Sequence, residues 1–311
     1  MPIAPGAVLR SLLIRASQSR LLREQVAQRS LPRRVALRYV AGETIDDGLH
    51  AAARLAAAGR SATLDYLGES VTEESRARSA SKVLLEVLDR IRVEGLPGGV
   101  SVKPTGVGLA VDRALCEELL GEVAAAAEAV PAHVTLDMED SSVTEATVAL
   151  VERLRAAGRH EVGCAVQAYL HRTRGDIERL TAAGASLRLC KGAYAEPASV
   201  AHQSRSAVDR SFAECADWLL EHGVYPRLAT HDHRLIERAK RVATALGRAP
   251  DEFEFQMLYG VRPKLQGSLV ADGYRLRVYV PFGSEWYPYL VRRIAERPAN
   301  LVFFLRALGR R

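Results

Sequence analysis

A short strand-like run followed by a helix-length stretch recurs eight times in this chain, and nothing else in the sequence limits its fold as tightly. The runs are Thr63–Leu67, Val100–Lys103, His133–Met138, Val162–Gln167, Ser186–Cys190, Tyr225–Thr230, Phe253–Leu258 and Arg275–Val280. Eight strands alternating with helices over about 220 residues fit a (β/α)8 barrel. Ser70-x-x-Glu73, Ser142-x-x-Glu145 and Thr173-x-x-Asp176 read as capping boxes that start three of the helices. A doubly wound open sheet competes, but it usually carries a glycine-rich phosphate turn. Gly106-Val107-Gly108 lacks the third glycine and there is no Walker sequence.

Alternation within the runs separates two faces. Val134, Leu136 and Met138 oppose Thr135 and Asp137; Phe253, Phe255 and Met257 oppose Glu254 and Gln256; Leu276, Val278 and Val280 oppose Arg275, Arg277 and Tyr279. The apolar face is expected to meet outer helices and the polar face to line the barrel. Ser101, Thr135, Gly163, Ala165 and Ser186 are small for that interior, which predicts room at its mouth.

The 311 residues suffice for one large barrel domain. The four cysteines form no C-x-x-C pair, so reduced thiols and a cytoplasmic setting are expected. No run approaches the ~18–20 apolar residues of a membrane span. Charge is uneven: residues 1–38 carry eight arginines against Glu24, so the rest sums to about −1 of a total of +6. A nearly neutral body argues against nucleic-acid binding. Residues 1–40 read as a basic amphipathic helical arm, with 41–311 as the barrel. The arm either packs on the body with solvated arginines or touches anionic lipid at the inner face of the membrane.

Barrel enzymes keep their chemistry at the C-terminal ends of the strands. Here those ends carry Asp65 to Glu69, Lys103, Asp137 to Asp140, Gln167, Arg188 to Lys191, Thr230 to Asp232, Gln256 and Tyr279. In Ser284–Arg297, Trp286, Leu290 and Ile294 form one stripe, while Tyr289, Arg292, Arg293 and Glu296 share another. Two adjacent arginines can clamp a carboxylate with planar hydrogen bonds, and with Lys103 they could surround one small acid. Two other chemistries stay open: a metal-dependent hydrolase using His231 and Asp137, or a Schiff-base lyase using Lys191 or Lys103.

Several segments together resemble the proline dehydrogenase family, including the catalytic barrel of the bifunctional proline-utilisation flavoenzymes. They are Leu67-Gly68-Glu69, Ser101-Val102-Lys103, Asp137-Met138-Glu139, Gln167-Ala168-Tyr169, Arg188 to Tyr194, Ala229 to Asp232, Glu254 to Leu258, and the tail Tyr279 to Gly283 with Tyr289 to Glu296. The resemblance implies a distorted barrel whose last helix covers the mouth, and oxidation of proline by FAD with a quinone as acceptor. It implies that Lys103, Arg292 and Arg293 hold the proline carboxylate, and that Tyr279, Tyr289 and Leu258 pack around the ring. Asp137 and Arg188 would be catalytic. Met138, Gln167, Arg188, Lys191, Gly192, Ala193, Thr230, His231 and Gln256 would contact FAD. Glu69 would pair with Arg292 and Asp65 with Lys103, with Glu296 a further ion-pair support; no metal is implied.

Overall fold

The computed structural model of the chain describes residues 37–130, 132–287 and 289–290. The arm expected over 1–40 lies almost wholly outside the described residues, as do Arg292, Arg293 and Glu296.

Eight parallel strands close into a barrel in sequence order. They are β1 (Ser61–Tyr66), β2 (Gly98–Val102), β3 (Ala132–Leu136), β4 (Val162–Gln167), β5 (Leu187–Cys190), β6 (Arg227–Ala229), β7 (Glu254–Leu258) and β8 (Arg275–Phe282). Closure comes from β8 lying beside β1, with Tyr279 opposite Thr63 and Pro281 opposite Asp65. Helix α1 (Ile45–Ala57) precedes β1. Between the strands run α2 (Glu74–Glu94), α3 (Arg113–Glu128), α4 (Ser141–Ala156), α5 (Thr173–Ala182), α6 (Arg205–His222), α7 (His233–Ala245) and α8 (Pro263–Ala271). Each expected strand coincides with an observed one to within two residues.

The outward strand faces make the main core. Val134 and Leu136, Phe255 and Met257, and Val278 and Val280 are buried in one cluster with helix residues such as Leu120, Val148 and Leu219. Burying each such side chain contributes about 1.5–3 kcal/mol, which fixes strand register because a one-residue slip would turn this face inward.

Helix starts differ from expectation. Ser70 has φ 56° and does not cap α2, whose first cap position is Glu73 without a side-chain bond. In α4 the cap is Asp140, which accepts from the Ser142 N–H, two residues before the expected box. At α5 Asp176 instead pairs with Arg172, and the Thr173 hydroxyl bonds the Gln167 carbonyl. A true capping box joins Thr44 and Asp47 at α1. Such short polar signals recur in loops, and tertiary ion pairs override them.

The interior also differs. Its small residues accommodate buried guanidinium groups as well as opening a mouth. Arg188 on β5 reaches Ser101 on β2 at 3.0 Å, and Arg227 on β6 reaches Thr135 on β3 at 3.0 Å. A Cβ on Gly163 would sit 3.7 Å from the Arg227 guanidinium and only 2.3 Å from the Ser186 carbonyl. The β-barrel centre is therefore a layered set of ion pairs, with its open cavity above them.

Candidate active site

Asp137 follows β3 directly, and four donors converge on its carboxylate. Ser101 Oγ donates at 2.7 Å and Arg188 Nη1 at 2.7 Å to Oδ1. The Tyr279 hydroxyl donates at 2.6 Å to Oδ2, and Lys103 Nζ lies 3.5 Å from the same oxygen. The four partners come from β2, the residue after β2, β5 and β8, so only closure of the barrel can assemble them. Lys103 Nζ also sits 2.9 Å from Asp65 Oδ1, and Arg188 lies over the Tyr279 ring at 5.2 Å.

Electrostatics follow from this packing. Burial works against the charged Lys103, but Asp65 and Asp137 outweigh it, with Glu69 adding to them, so its pKa is raised. Burial likewise opposes ionised Asp137, yet Lys103 and Arg188 with the Ser101 and Tyr279 bonds hold its pKa below the ordinary value. Burial and the nearby carboxylates push the Tyr279 phenol well up, so it stays a donor.

Lys103, Asp137, Arg188 and Tyr279 line a cavity of about 1130 Å³. Met138, Gln167, Lys191, Gly192, Ala193, Thr230, His231, Gln256, Leu258 and Tyr289 line it too, so the structure brings together every expected site residue it describes except the flanking Asp65 and Glu69. Gln167 is set by its amide donating to the Glu139 carbonyl at 2.8 Å, and Glu139 is itself held by Thr105. Gly192 has φ +105°, and a Cβ there would lie 2.1 Å from the Tyr169 ring, so only glycine lets the backbone pass. The outer end is ionic: Lys191 bonds Asp209 at 2.5 Å and approaches Asp232 at 3.5 Å, and Arg234 bonds Asp232 at 2.9 Å. A helix begins at Trp286, and Trp286, Tyr289 and Leu290 pack with Leu67 and Val40, with Tyr279 at the edge. Tyr289 thereby reaches the cavity. The two arginines expected to complete the clamp, Arg292 and Arg293, and Glu296 lie outside the described residues, as does the Glu69–Arg292 pair.

The two other chemistries lose their footing. His231 Nε2 accepts the Leu258 N–H at 3.0 Å and Asp137 is saturated by donors, so neither is presented as a metal ligand. A Schiff-base lysine needs a lowered pKa, whereas Lys103 is raised and Lys191 is ion-paired.

Sequence reasoning missed Ser101 as a site residue, although its place two residues before Lys103 on one strand face signals it. Asp209, on α6, carried no signal.

The fit to a large anionic cofactor rests on the residues present. The cavity exceeds most small-ligand pockets, its lining carries the cations Lys191, Arg234 and Arg262, and Arg188 Nη2 is buried without a partner among the described residues. Comparison with known proteins places the chain in one family. The model of the proline dehydrogenase family matches residues 48–306. Proline dehydrogenase 1 of Bacillus subtilis (strain 168) is 36% identical over 301 residues, 97% of this chain and 99% of that one. The proline dehydrogenase of Deinococcus radiodurans is 36% identical over 291 residues, 92% and 93% of the two chains. The structure of proline utilization A (PutA) from Bdellovibrio bacteriovorus, inactivated by N-propargylglycine, superposes with a TM-score of 0.80 at 25% identity over 85% of this chain. The present chain spans about a third of that PutA chain, 33%.

Proposed function

The chain belongs to the proline dehydrogenase family, and from that premise we propose that it oxidises L-proline to 1-pyrroline-5-carboxylate by hydride transfer to FAD, with a quinone as the final acceptor. FAD, when bound, supplies the two-electron acceptor that no side chain offers.

Met138, Gln167, Lys191, Gly192, Ala193, Thr230, His231 and Gln256 would hold it, because they line the same cavity as Arg188. Lys103, kept protonated between two carboxylates, gives the proline carboxylate a fixed positive partner, and Arg292 and Arg293 would complete the clamp. Tyr279, Tyr289 and Leu258 offer flat and apolar surfaces to the ring. Cations around the carboxylate also disfavour a protonated ring nitrogen by like-charge repulsion, which frees the lone pair beside the carbon that gives up hydride. Positioning of this kind can account for a large part of a rate enhancement.

Asp137 is a poor general base in this setting. Its pKa is depressed and its oxygens are occupied by donors. Its role is to hold Lys103, Tyr279 and Arg188 in register, while the Arg188 cation at the cavity wall stabilises negative charge arriving in the cavity. The single observation that carries the reading is this convergence of Lys103, Arg188, Ser101 and Tyr279 on one carboxylate at the wall of a cofactor-sized cavity.

A quinone acceptor would place the protein at the inner face of the membrane, and the basic segment 1–40 supplies the charge for a peripheral contact with anionic lipid. No helix among the described residues is long and apolar enough to cross a membrane. The reaction is tested by incubating purified protein with L-proline and a water-soluble quinone and identifying the products by mass spectrometry. Stoichiometric 1-pyrroline-5-carboxylate and quinol are expected; reduction of the quinone without that product rejects the assignment.

A further inference from the structure

A second charged layer lies deeper in the barrel than the site, and none of the chemistry above uses it. Glu254 on β7 is 2% exposed. It accepts from Arg277 Nε on β8 at 2.8 Å, and Arg227 Nε on β6 is 4.0 Å away. The same oxygen, Oε1, accepts from Gln256 Nε2 at 2.5 Å, two residues along the same inward face. At its other end, Gln256 Oε1 accepts from Arg188 Nε at 2.6 Å. Arg188 spends Nη1 on Ser101 and Asp137, and keeps Nη2 buried with no partner among the described residues.

The order of these bonds matters because a side-chain amide has one donating and one accepting end. Reversed, Gln256 would set its NH2 against the Arg188 N–H and its oxygen against a carboxylate. An ionised carboxylate only accepts, so it forbids that reversal. Burial opposes the charge on Glu254, but Arg277 and Arg227 outweigh it and hold its pKa down at about 2.

We infer that Glu254 is a positioning residue for the oxidation: through the amide of Gln256 it fixes the angle of the Arg188 guanidinium at the cavity wall, and with it the direction of that charge towards the group bound there. The inference rests on the proposed function above, and deepens it by assigning the barrel floor a part in the chemistry. Thr135, which meets Arg227 on the far side of this layer, has no bond to Gln256 or Arg188 and serves as the internal control.

The test uses flavin-loaded protein, with anaerobic stopped-flow reduction by L-proline and the reduction potential of the bound flavin as independent readouts. Glu254→Gln is expected to slow flavin reduction by about tenfold or more, with the apparent proline dissociation constant changed by less than about threefold. Its flavin potential is expected to fall, because Arg188 no longer stabilises arriving negative charge from a fixed position. Loss of one buried negative charge without loss of position would raise the potential instead, so the sign separates the two. Should Glu254→Gln not fold, Glu254→Met with Arg277→Met removes the ion pair at constant net charge, a replacement that buried pairs commonly tolerate. The same slower reduction and lower potential are expected from it. Thr135→Val is expected to lose stability and keep the wild-type reduction rate. A rate within about twofold of wild type, or a potential unchanged or raised, in the folded Glu254 variant overturns the inference. Failure of the wild-type flavin to be reduced by proline at all overturns the proposed function, and the inference with it.

Discussion

Lys103→Met should expose how tightly the site depends on balanced burial. Lys103 Nζ lies 2.9 Å from Asp65 Oδ1, and the Asp65 side chain is 1% exposed. Methionine keeps most of the volume and removes the cation. Asp137 retains Arg188 at 2.7 Å, so the loss falls mainly on Asp65, which becomes an uncompensated buried acid. Breaking one side of such a pair costs about 3–5 kcal/mol. At roughly 2 °C per kcal/mol for a chain of this size, the thermal midpoint should fall by roughly 6–10 °C. Adding Asp65→Asn removes the orphan charge and should recover most of that fall, since the hole that remains is polar but neutral. The pH dependence has a definite sign. Burial already raises the Asp65 pKa above the ordinary value in spite of Lys103; without that cation it rises further, and Asp65 escapes by holding a proton. Stability from such a group is complete below the unfolded pKa and is lost as pH rises towards the folded pKa. The deficit of the single variant should therefore grow by up to about 1.4 kcal/mol per pH unit from acid towards neutral pH, and that of the double variant should not. Circular-dichroism melts of wild type, single and double variants at matched flavin content measure all three quantities. A single variant within about 1 kcal/mol of wild type, or a double variant no better than the single, would refute the account in which Lys103 offsets the burial of Asp65.

Three further outcomes are expected. Arg188→Ala should slow flavin reduction far more than it raises the proline KM, and an unchanged stopped-flow rate would reject its role at the cavity wall. Arg292→Ala and Arg293→Ala should each raise the proline KM, by roughly tenfold or more for loss of one charged contact, while flavin stays bound; an unchanged KM in both removes the clamp. Glu254, held at about 2 against an ordinary value of 4.5, contributes stability that is present above the unfolded pKa and lost as pH falls through the folded one. That amounts to roughly 3 kcal/mol between those limits, so the acid limb of the stability curve should be shallower in Glu254→Gln, and equal limbs would show that the carboxylate is not so held.

Much of this architecture is legible in the sequence because the barrel repeats one local signal. Val134 and Leu136 alternate with Thr135 and Asp137, and the same alternation in Phe253–Leu258 marks β7 without any tertiary information. Strand ends then place Lys103, Asp137, Arg188 and Gln256 at a common mouth. What alternation cannot show is which polar side chain crosses to which strand. Arg227 and Thr135 are 92 residues apart, and the smallness of Gly163 gives no hint that a guanidinium fills the space opposite it. Helix caps are less legible, because short polar residues near a helix start find partners elsewhere in the fold. Asp176 is drawn off by Arg172 and Ser70 by a left-handed turn, so their spacing misleads.

Anaerobic titration of the purified, flavin-loaded protein with L-proline probes the chemistry of this barrel mouth most directly. Loss of the flavin's visible absorption, with one equivalent of 1-pyrroline-5-carboxylate for each flavin bleached, is the expected result. A yellow protein that dithionite bleaches and saturating proline does not would contradict it.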